Sequence, residues 1–306
     1  MHILKGYTKQ EISWMMYDWA NSAHSVIIVT LLPIFFDTVA GYTADSVSSM
    51  STWGYATSIA MLIVALAAPF LGVFGDIRGM RKKLFSFFML LGVAACAGMA
   101  FTPGMDFTSG PVAAGKVASL ILVLYIVSVI GFDASAIYYD AFLTDVTTED
   151  RMDKVSTMGY GLGYIGGSTI PLLIFLIMNL VGVPMLTCLA FVFGLTAVWW
   201  LAFSLPLLKN CEQTSGKPYE KGDVARSIKG VGTTIKEIIA NKPMLIYILS
   251  YFFYIDGVHT VISMATTYGT NLGLDSTGMM LALLLVQILG LPFCLLYIKC
   301  SEKFGA

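Results

Sequence analysis

Long apolar runs alternate with short polar connections along this chain, and the length of the runs decides the fold class. Eight stretches, 14–36, 53–74, 83–102, 117–144, 157–181, 185–208, 244–270 and 276–298, are candidates to cross a bilayer, whose hydrocarbon layer of roughly 30 Å takes about 20 helical residues. An isolated segment of that length satisfies its backbone groups in lipid only as a helix. The pattern therefore predicts an all-α polytopic membrane protein.

One long polar segment, 209–243, divides the first six runs (1–208) from the last two (244–306). Its first part, Glu212 to Asp223, is rich in Gly, Lys and Ser and reads as flexible. Its second part places Val224, Ile228, Val231, Ile235 and Ile238 on one helical face, with Arg226, Lys229 and Lys236 elsewhere. Such a helix suits the inner leaflet of the membrane, or serves as a linker covering the end of the helices.

Composition supports the membrane reading: 57% of the 306 residues are apolar and 12% charged, against roughly 25% charged in a soluble domain. The net charge of -1 offers no basic surface for nucleic acid. Seventeen of the 18 Lys and Arg fall before the first run or in the segments after the second, fourth, sixth and eighth; Lys116 alone falls on the other side. Because positive loops stay in the cytoplasm, both termini are expected there. Trp14, Trp53, Trp199 and Trp200 lie near the ends of runs, as interfacial belts do. Five scattered Cys and three scattered His form no metal motif, and no nucleophile with a matching base is evident, so neither a metal, a cofactor nor enzymatic activity is implied.

Ionisable groups inside a span are costly and by default line a cavity or pair. The first run carries Asp18, Asn21, Ser22 and Ser25; the fourth carries Asp133 and Asp140; the seventh carries Asp256, His259, Thr260 and Ser263, each set at helical spacing. No Lys or Arg inside the runs balances these acids. Unpaired carboxylates in a cavity can take up protons or other cations, and Asp256, about 12 residues into its run, is the expected coupling site, with His259 one turn on to share its proton. In the fifth run Gly161, Gly163 and Gly166 match a dinucleotide fingerprint in form only, since no strand precedes them and no acid follows before Glu212. Gly159, Gly163 and Gly167 are spaced four apart, the ridge on which membrane helices pack closely.

Two loose repeats stand out. Asp18-Trp-Ala-Asn21-Ser22 parallels Asp256-Gly-Val-His259-Thr260, and Gly75-Asp76-Ile-Arg78-Gly79 after the second run parallels Glu302-Lys303-Phe-Gly305 after the eighth. A six-helix unit that begins to repeat, with a basic glycine loop between its second and third helices, resembles the major facilitator superfamily. That family's loop motif is matched at Gly72, Asp76, Gly79, Arg81 and Lys82, and departed from at Ile77 and Met80. The resemblance implies that Asp76 faces a helix end or a basic partner and helps hold one conformation.

Longer strings resemble the autophagy-related vacuolar amino-acid effluxer-like family and its bacterial relatives within that superfamily. They are Trp14 to Ala23 and Tyr138-Tyr139-Asp140-Ala141-Phe142-Leu143, followed by Asp145, Arg151, Val155-Ser156 and Gly161 to Gly167. The family usually has Asn where Asp140 stands, and about twelve helices, so the chain reads as missing helices 9 to 12. The resemblance implies alternating access of a small polar solute, amino acids in the first place, with protons or other cations as coupling partners. The substrate path would be lined by the helices that carry Asp18, Asn21, Ser22, Asp133, Tyr139, Asp140, Asp256, His259 and Thr260. The membrane would be the plasma membrane of a prokaryote or a vacuolar membrane of a eukaryote. The alternative is a truncated, inactive fragment or a membrane scaffold or receptor that transports nothing.

Overall fold

In a computed structural model, residues 4–43, 48–216, 218 and 223–304 are described. Gly305 and the side chains of Val224, Arg226, Ile228, Lys229, Ser263 and Glu302 lie outside the described residues. All regular structure among the described residues is helical: α1 (Lys9–Ala40), α2 (Ser49–Gly75), α3 (Arg81–Met99), α4 (Pro111–Val146), α5 (Met152–Leu162), α6 (Ile170–Leu180), α7 (Met185–Asn210), α8 (Asp223–Ala240), α9 (Lys242–Asn271) and α10 (Ser276–Phe304). A π-helical segment, Gly163–Thr169, joins α5 to α6, so the fifth apolar run is one helix with a widened turn at its centre. Eight helices, with α5 and α6 taken as one, are long and apolar enough to span a bilayer.

The helices begin where local chemistry supplies caps. Thr8 caps α1: its Oγ1 accepts from the Glu11 amide at 3.1 Å while Glu11 Oε2 accepts from the Thr8 amide at 2.7 Å, a reciprocal capping box. Ser48 caps α2, and Pro111 opens α4 at a position where a missing N–H costs nothing.

Helix α1 runs through the middle and packs against α4, α5, the π segment and α7. Its side chains Met15, Tyr17, Ala20, Ile27, Leu32 and Val39 have no exposed surface. Close approach elsewhere depends on glycine, as expected where lipid supplies no hydrophobic drive between helices and van der Waals fit must do the work. A Cβ on Gly131 of α4 would lie 2.6 Å from Gly92 Cα and 2.8 Å from Phe88 O on α3, so these helices meet backbone to backbone. Trp200 of α7 lays its ring over Gly92. Three of the tryptophans expected at the membrane interfaces are therefore packed inside: Trp14, Trp53 and Trp200 are 2%, 1% and 0% exposed. Their indoles fill space between helices near the ends of the runs, which sequence position alone does not distinguish from a lipid-facing belt.

Helices α9 and α10 differ in kind. Helix α9 touches α1 and α2, α10 packs on α5 and the π segment, and both expose large apolar side chains such as Tyr247, Phe253, Leu285 and Phe293. Helix α8 rests against α2 and α9, with Ile235 and Ile239 exposed.

Candidate functional site

The chemistry-bearing residues fall into three places. At the first, α1, α4 and α5 converge. Tyr139 donates its hydroxyl to Asp18 Oδ2 at 2.8 Å, and its ring stacks on Trp14 with centroids 4.3 Å apart. Trp14 Nε1 in turn donates to the Tyr139 carbonyl at 2.8 Å, which fixes both rings. On the far side, Gly159 makes room for the carboxylate: a Cβ there would fall on Asp18 Oδ2. Gly163 and Gly167 continue this strip against α1, where a Cβ would meet Ser22 and the backbone of Asp18 or Trp19. Asp140 is exposed one turn from the end of the same junction, and its charge acts on Asp18 and Tyr139. Asn21 and Asp133 take other directions. Asn21 is 8% exposed and reaches Tyr17 in the helix core, while Asp133 stands apart from Asp18 and acts on Tyr125. Asp133 and Asp140 thus share a helix face by spacing but serve separate surroundings.

The second place lies between α2 and α9, where a cavity of about 650 Å³ is lined by Ser51, Tyr55, Ser58, Asp256, His259 and Thr260 among others. Met50, Met61, Phe252 and Met264 supply its apolar walls. The α9 triplet singled out by its spacing therefore meets hydroxyls of α2, not the Asp18 junction.

The third place is the loop end, where α2 turns into α3. Gly79 takes φ +79°, a left-handed turn that favours glycine, and Arg81 swings inward to pair with Asp145 at the end of α4, their side chains 6% and 0% exposed. Arg81 Nη1 also donates to the Ala141 carbonyl at 3.0 Å. Asp76, expected to face a helix end or a basic partner, is exposed at the C-terminal cap of α2, and Arg81 makes a buried ion pair in this loop. Gly72 and Lys82 are partly exposed.

The segment after α7, read from its composition as flexible, is docked over residues 213–216. Gln213 Oε1 accepts from the Gly79 amide at 2.8 Å and Gln213 Nε2 donates to the Gly75 carbonyl at 3.0 Å, bracketing the turn. Asp145 Oδ1 accepts from the amides and hydroxyls of both Thr214 and Ser215 at 2.8 to 3.1 Å. A second clamp ties α1 to the α4–α5 connection: Arg151 donates from Nε and Nη2 to the two oxygens of Glu11, each at 2.8 Å, and Thr147 donates to Glu11 Oε1 at 2.6 Å. Beside these, Cys211 is buried, and burial pushes its thiol up to about 12.

Comparison with known proteins gives this arrangement a family. The model of the family described as "Vacuole effluxer Atg22 like" matches residues 7–152 and 144–306. The MFS-type transporter YxiO of Bacillus subtilis is 39% identical over 310 residues, covering 99% of this chain and 70% of that protein. The chain belongs to the Atg22-like family of major facilitator transporters. Autophagy-related protein 22-1 of Penicillium rubens is a more distant member, 26% identical over 148 residues that cover 45% of this chain and 25% of that protein. The fold is shared with a D-xylose–proton symporter, with a TM-score of 0.60, 15% identity, and 97% of this chain and 69% of that one covered. It is shared also with the xylose transporter XylE of E. coli in a partially occluded inward-open conformation, with a TM-score of 0.56, 14% identity, and 97% and 73% covered.

In this Atg22-like transporter the acids and hydroxyls singled out by spacing fall on α1, α4 and α9. Two features escaped that reading. Glu11 sits just outside the first apolar run and looks like an ordinary cap, and Gln213, Thr214 and Ser215 look like linker. Only distant partners distinguish them: Arg151 for Glu11, the Gly75–Gly79 turn for Gln213, and Asp145 for Thr214 and Ser215.

Proposed function

We propose that this Atg22-like protein is a secondary transporter that moves a small polar solute by alternating access, with amino acids the first candidates, and that proton movement at Asp256 and His259 is coupled to it. One observation carries the reading: the cavity of about 650 Å³ between α2 and α9 gathers an acid, an imidazole and several hydroxyls against apolar walls, deep in helices that otherwise offer lipid-compatible surface. A carboxylate and an imidazole one helical turn apart can pass a proton while serine, threonine and tyrosine hydroxyls exchange hydrogen bonds with a solute. Resemblance to amino-acid effluxers supports the substrate class. In this reading residues 1–208 form one half of the transporter, 209–243 a cytoplasmic connection and 244–306 the opening helices of the second half, and the Lys and Arg distribution supports cytoplasmic termini.

The test is flux in proteoliposomes containing the full-length protein. A pH gradient should accelerate uptake or efflux of a labelled amino-acid mixture, and Asp256→Asn should remove that acceleration while leaving solute exchange at equal pH. Unchanged pH-driven flux in Asp256→Asn would remove Asp256 from the coupling role, and absence of flux for every solute would remove the transporter reading for this protein.

A further inference from the structure

Helix α8 is tied to the membrane surface by its connection. It ends at Ala240, and α9, apolar enough to span from Lys242, begins one residue later, so Asn241 alone separates them. That residue makes a fixed corner: its amide donates to the Glu237 carbonyl at 3.0 Å, closing α8, and its Oδ1 accepts from the Met244 amide at 3.3 Å, opening α9. The level of the corner follows from the packing of α2 on α9. Gly54 of α2 lies beside Met264 of α9, where a Cβ would stand 3.9 Å from Cε. From there α2 runs on to Gly75 and α9 runs back to Lys242, each roughly 32 Å at 1.5 Å per residue, so the two helices end together. Helix α8 leaves that level and still rests against α2, so it turns across the helix ends and does not continue the α9 axis into solvent.

The apolar face of α8 is only partly used by the protein. Val231 and Ile238 are half-buried, whereas Ile235 and Ile239 are 50% and 59% exposed, and Lys236 is exposed beside them. At about 100° per residue, Ile235 and Ile239 lie roughly 40° and 80° round from Val231, and Lys236 roughly 140°. An apolar strip that the described residues leave half open thus has a cation on its flank. The segment around it is basic: residues 217–242 carry Lys217, Lys221, Arg226, Lys229, Lys236 and Lys242 against Glu220, Asp223 and Glu237, in a chain whose net charge is -1.

We propose that this strip of α8 docks on anionic lipid in the leaflet from which α9 enters, with Ile235 and Ile239 at the acyl boundary and Lys236 among the headgroups. Position and charge both select a lipid surface. The strip adjoins the first residue of a span, where the bilayer interface is at hand, and a basic excess along an amphipathic helix matches a negatively charged leaflet. Each Lys or Arg near such a surface favours docking about fivefold. Because α8 rests on α2 and α9, which wall the cavity of about 650 Å³, docking ties the charge of the leaflet to the two helices on either side of the candidate solute site. The docking itself does not depend on what the protein moves.

Hydrogen exchange of the 230–240 amides, followed by mass spectrometry of the full-length protein in lipid nanodiscs, reads the docking, with the amides of α3 as the folded control. The reference is a disc of phosphatidylcholine containing about one-third phosphatidylglycerol. Exchange should be at least about tenfold faster in phosphatidylcholine alone, and also in anionic discs at about 1 M salt, where charges are screened within roughly 3 Å. Lys229→Gln combined with Lys236→Gln should speed exchange about thirtyfold in anionic discs, at about fivefold for each charge. Ile235→Gln combined with Ile239→Gln should also speed it; glutamine is the better helix former, so a faster rate there reports lost docking and not a weakened helix. α3 should exchange alike throughout. Equal exchange in neutral and anionic discs, or no change in the lysine pair, would overturn the proposal. So would the same protection in detergent without lipid, which would mean that protein covers the strip.

Discussion

Breaking the Arg81–Asp145 pair tests whether the loop end is held by a buried ion pair or merely decorated by one. Both side chains are removed from solvent, at 6% and 0% exposure, so deleting one partner should approach the cost of about 3–5 kcal/mol for stranding a buried charge. The two deletions are not equivalent. Arg81→Met leaves Asp145 with four remaining donors from Thr214 and Ser215; it gives up the Nη1 bonds to the Ala141 carbonyl and Ser215 Oγ, while Arg81 Nε is buried without a partner among the described residues and loses none. A cost near the lower end, about 3 kcal/mol, follows. Asp145→Asn leaves the guanidinium with neutral acceptors only, the Ala141 carbonyl and Ser215 Oγ, and turns an amide N–H₂ toward it, so about 4–5 kcal/mol is expected. The double variant strands no charge and should cost less than the sum of the singles by about 2–3 kcal/mol. Equilibrium unfolding of the full-length protein in mixed micelles of dodecyl maltoside and dodecyl sulfate reads all three. Strict additivity, or single costs both below about 1 kcal/mol, would refute the buried-clamp reasoning.

Other outcomes follow from single positions. Gly216→Ala should release the docked segment, because Gly216 takes φ +115° and a Cβ there would stand 2.8 Å from the Asp76 carbonyl; faster trypsin cleavage at Lys217, without loss of folded protein, is the readout. Gly131→Val should abolish the folded form in detergent-based size exclusion, since the α3 backbone at Gly92 and Phe88 lies 2.5 to 2.8 Å from the missing Cβ, whereas Gly72→Ala, with nothing within 4 Å, should elute as the parent does. Alkylation at pH 8 should label exposed Cys300 and spare Cys211 in folded protein: a thiol pushed up to about 12 is thiolate in only about one molecule in ten thousand at that pH, and its sulfur is buried as well. Labelling of Cys211 at the rate of Cys300 would contradict the burial of its sulfur, which donates to the Gln10 carbonyl at 3.6 Å.

The spans were legible because lipid imposes a length, and each apolar run appears as a helix that overshoots it by a few residues at one or both ends, as α1 does from Lys9 to Ala40. The interruption of the fifth run was not legible, since the α and π turns of Gly163–Thr169 use the same residues and differ only in which carbonyl each amide meets. Spacing singled out Asp18, Asp140 and Asp256 as candidates but could not say that Asp256 would face α2 or that Asn21 would turn into the core, because a shared helical face does not specify what stands opposite. Composition misjudged Thr214 and Ser215 for a related reason. A polar segment is free or docked according to partners far away in sequence, here an aspartate some 70 positions earlier.

The clamp between Glu11 and Arg151 also has a history in time. The residues are 140 positions apart, and at a synthesis rate of roughly 5–20 residues per second the glutamate waits about 7–28 s for its guanidinium. During that interval its carboxylate has the Thr8 amide close at hand, available as soon as the first turn of α1 forms. Glu11 therefore serves the nascent chain twice. It first caps a helix with local partners while that helix enters the bilayer, and later draws the α4–α5 connection onto the same carboxylate, so that arrival of this connection, before the fifth span is complete, locks the position of the first.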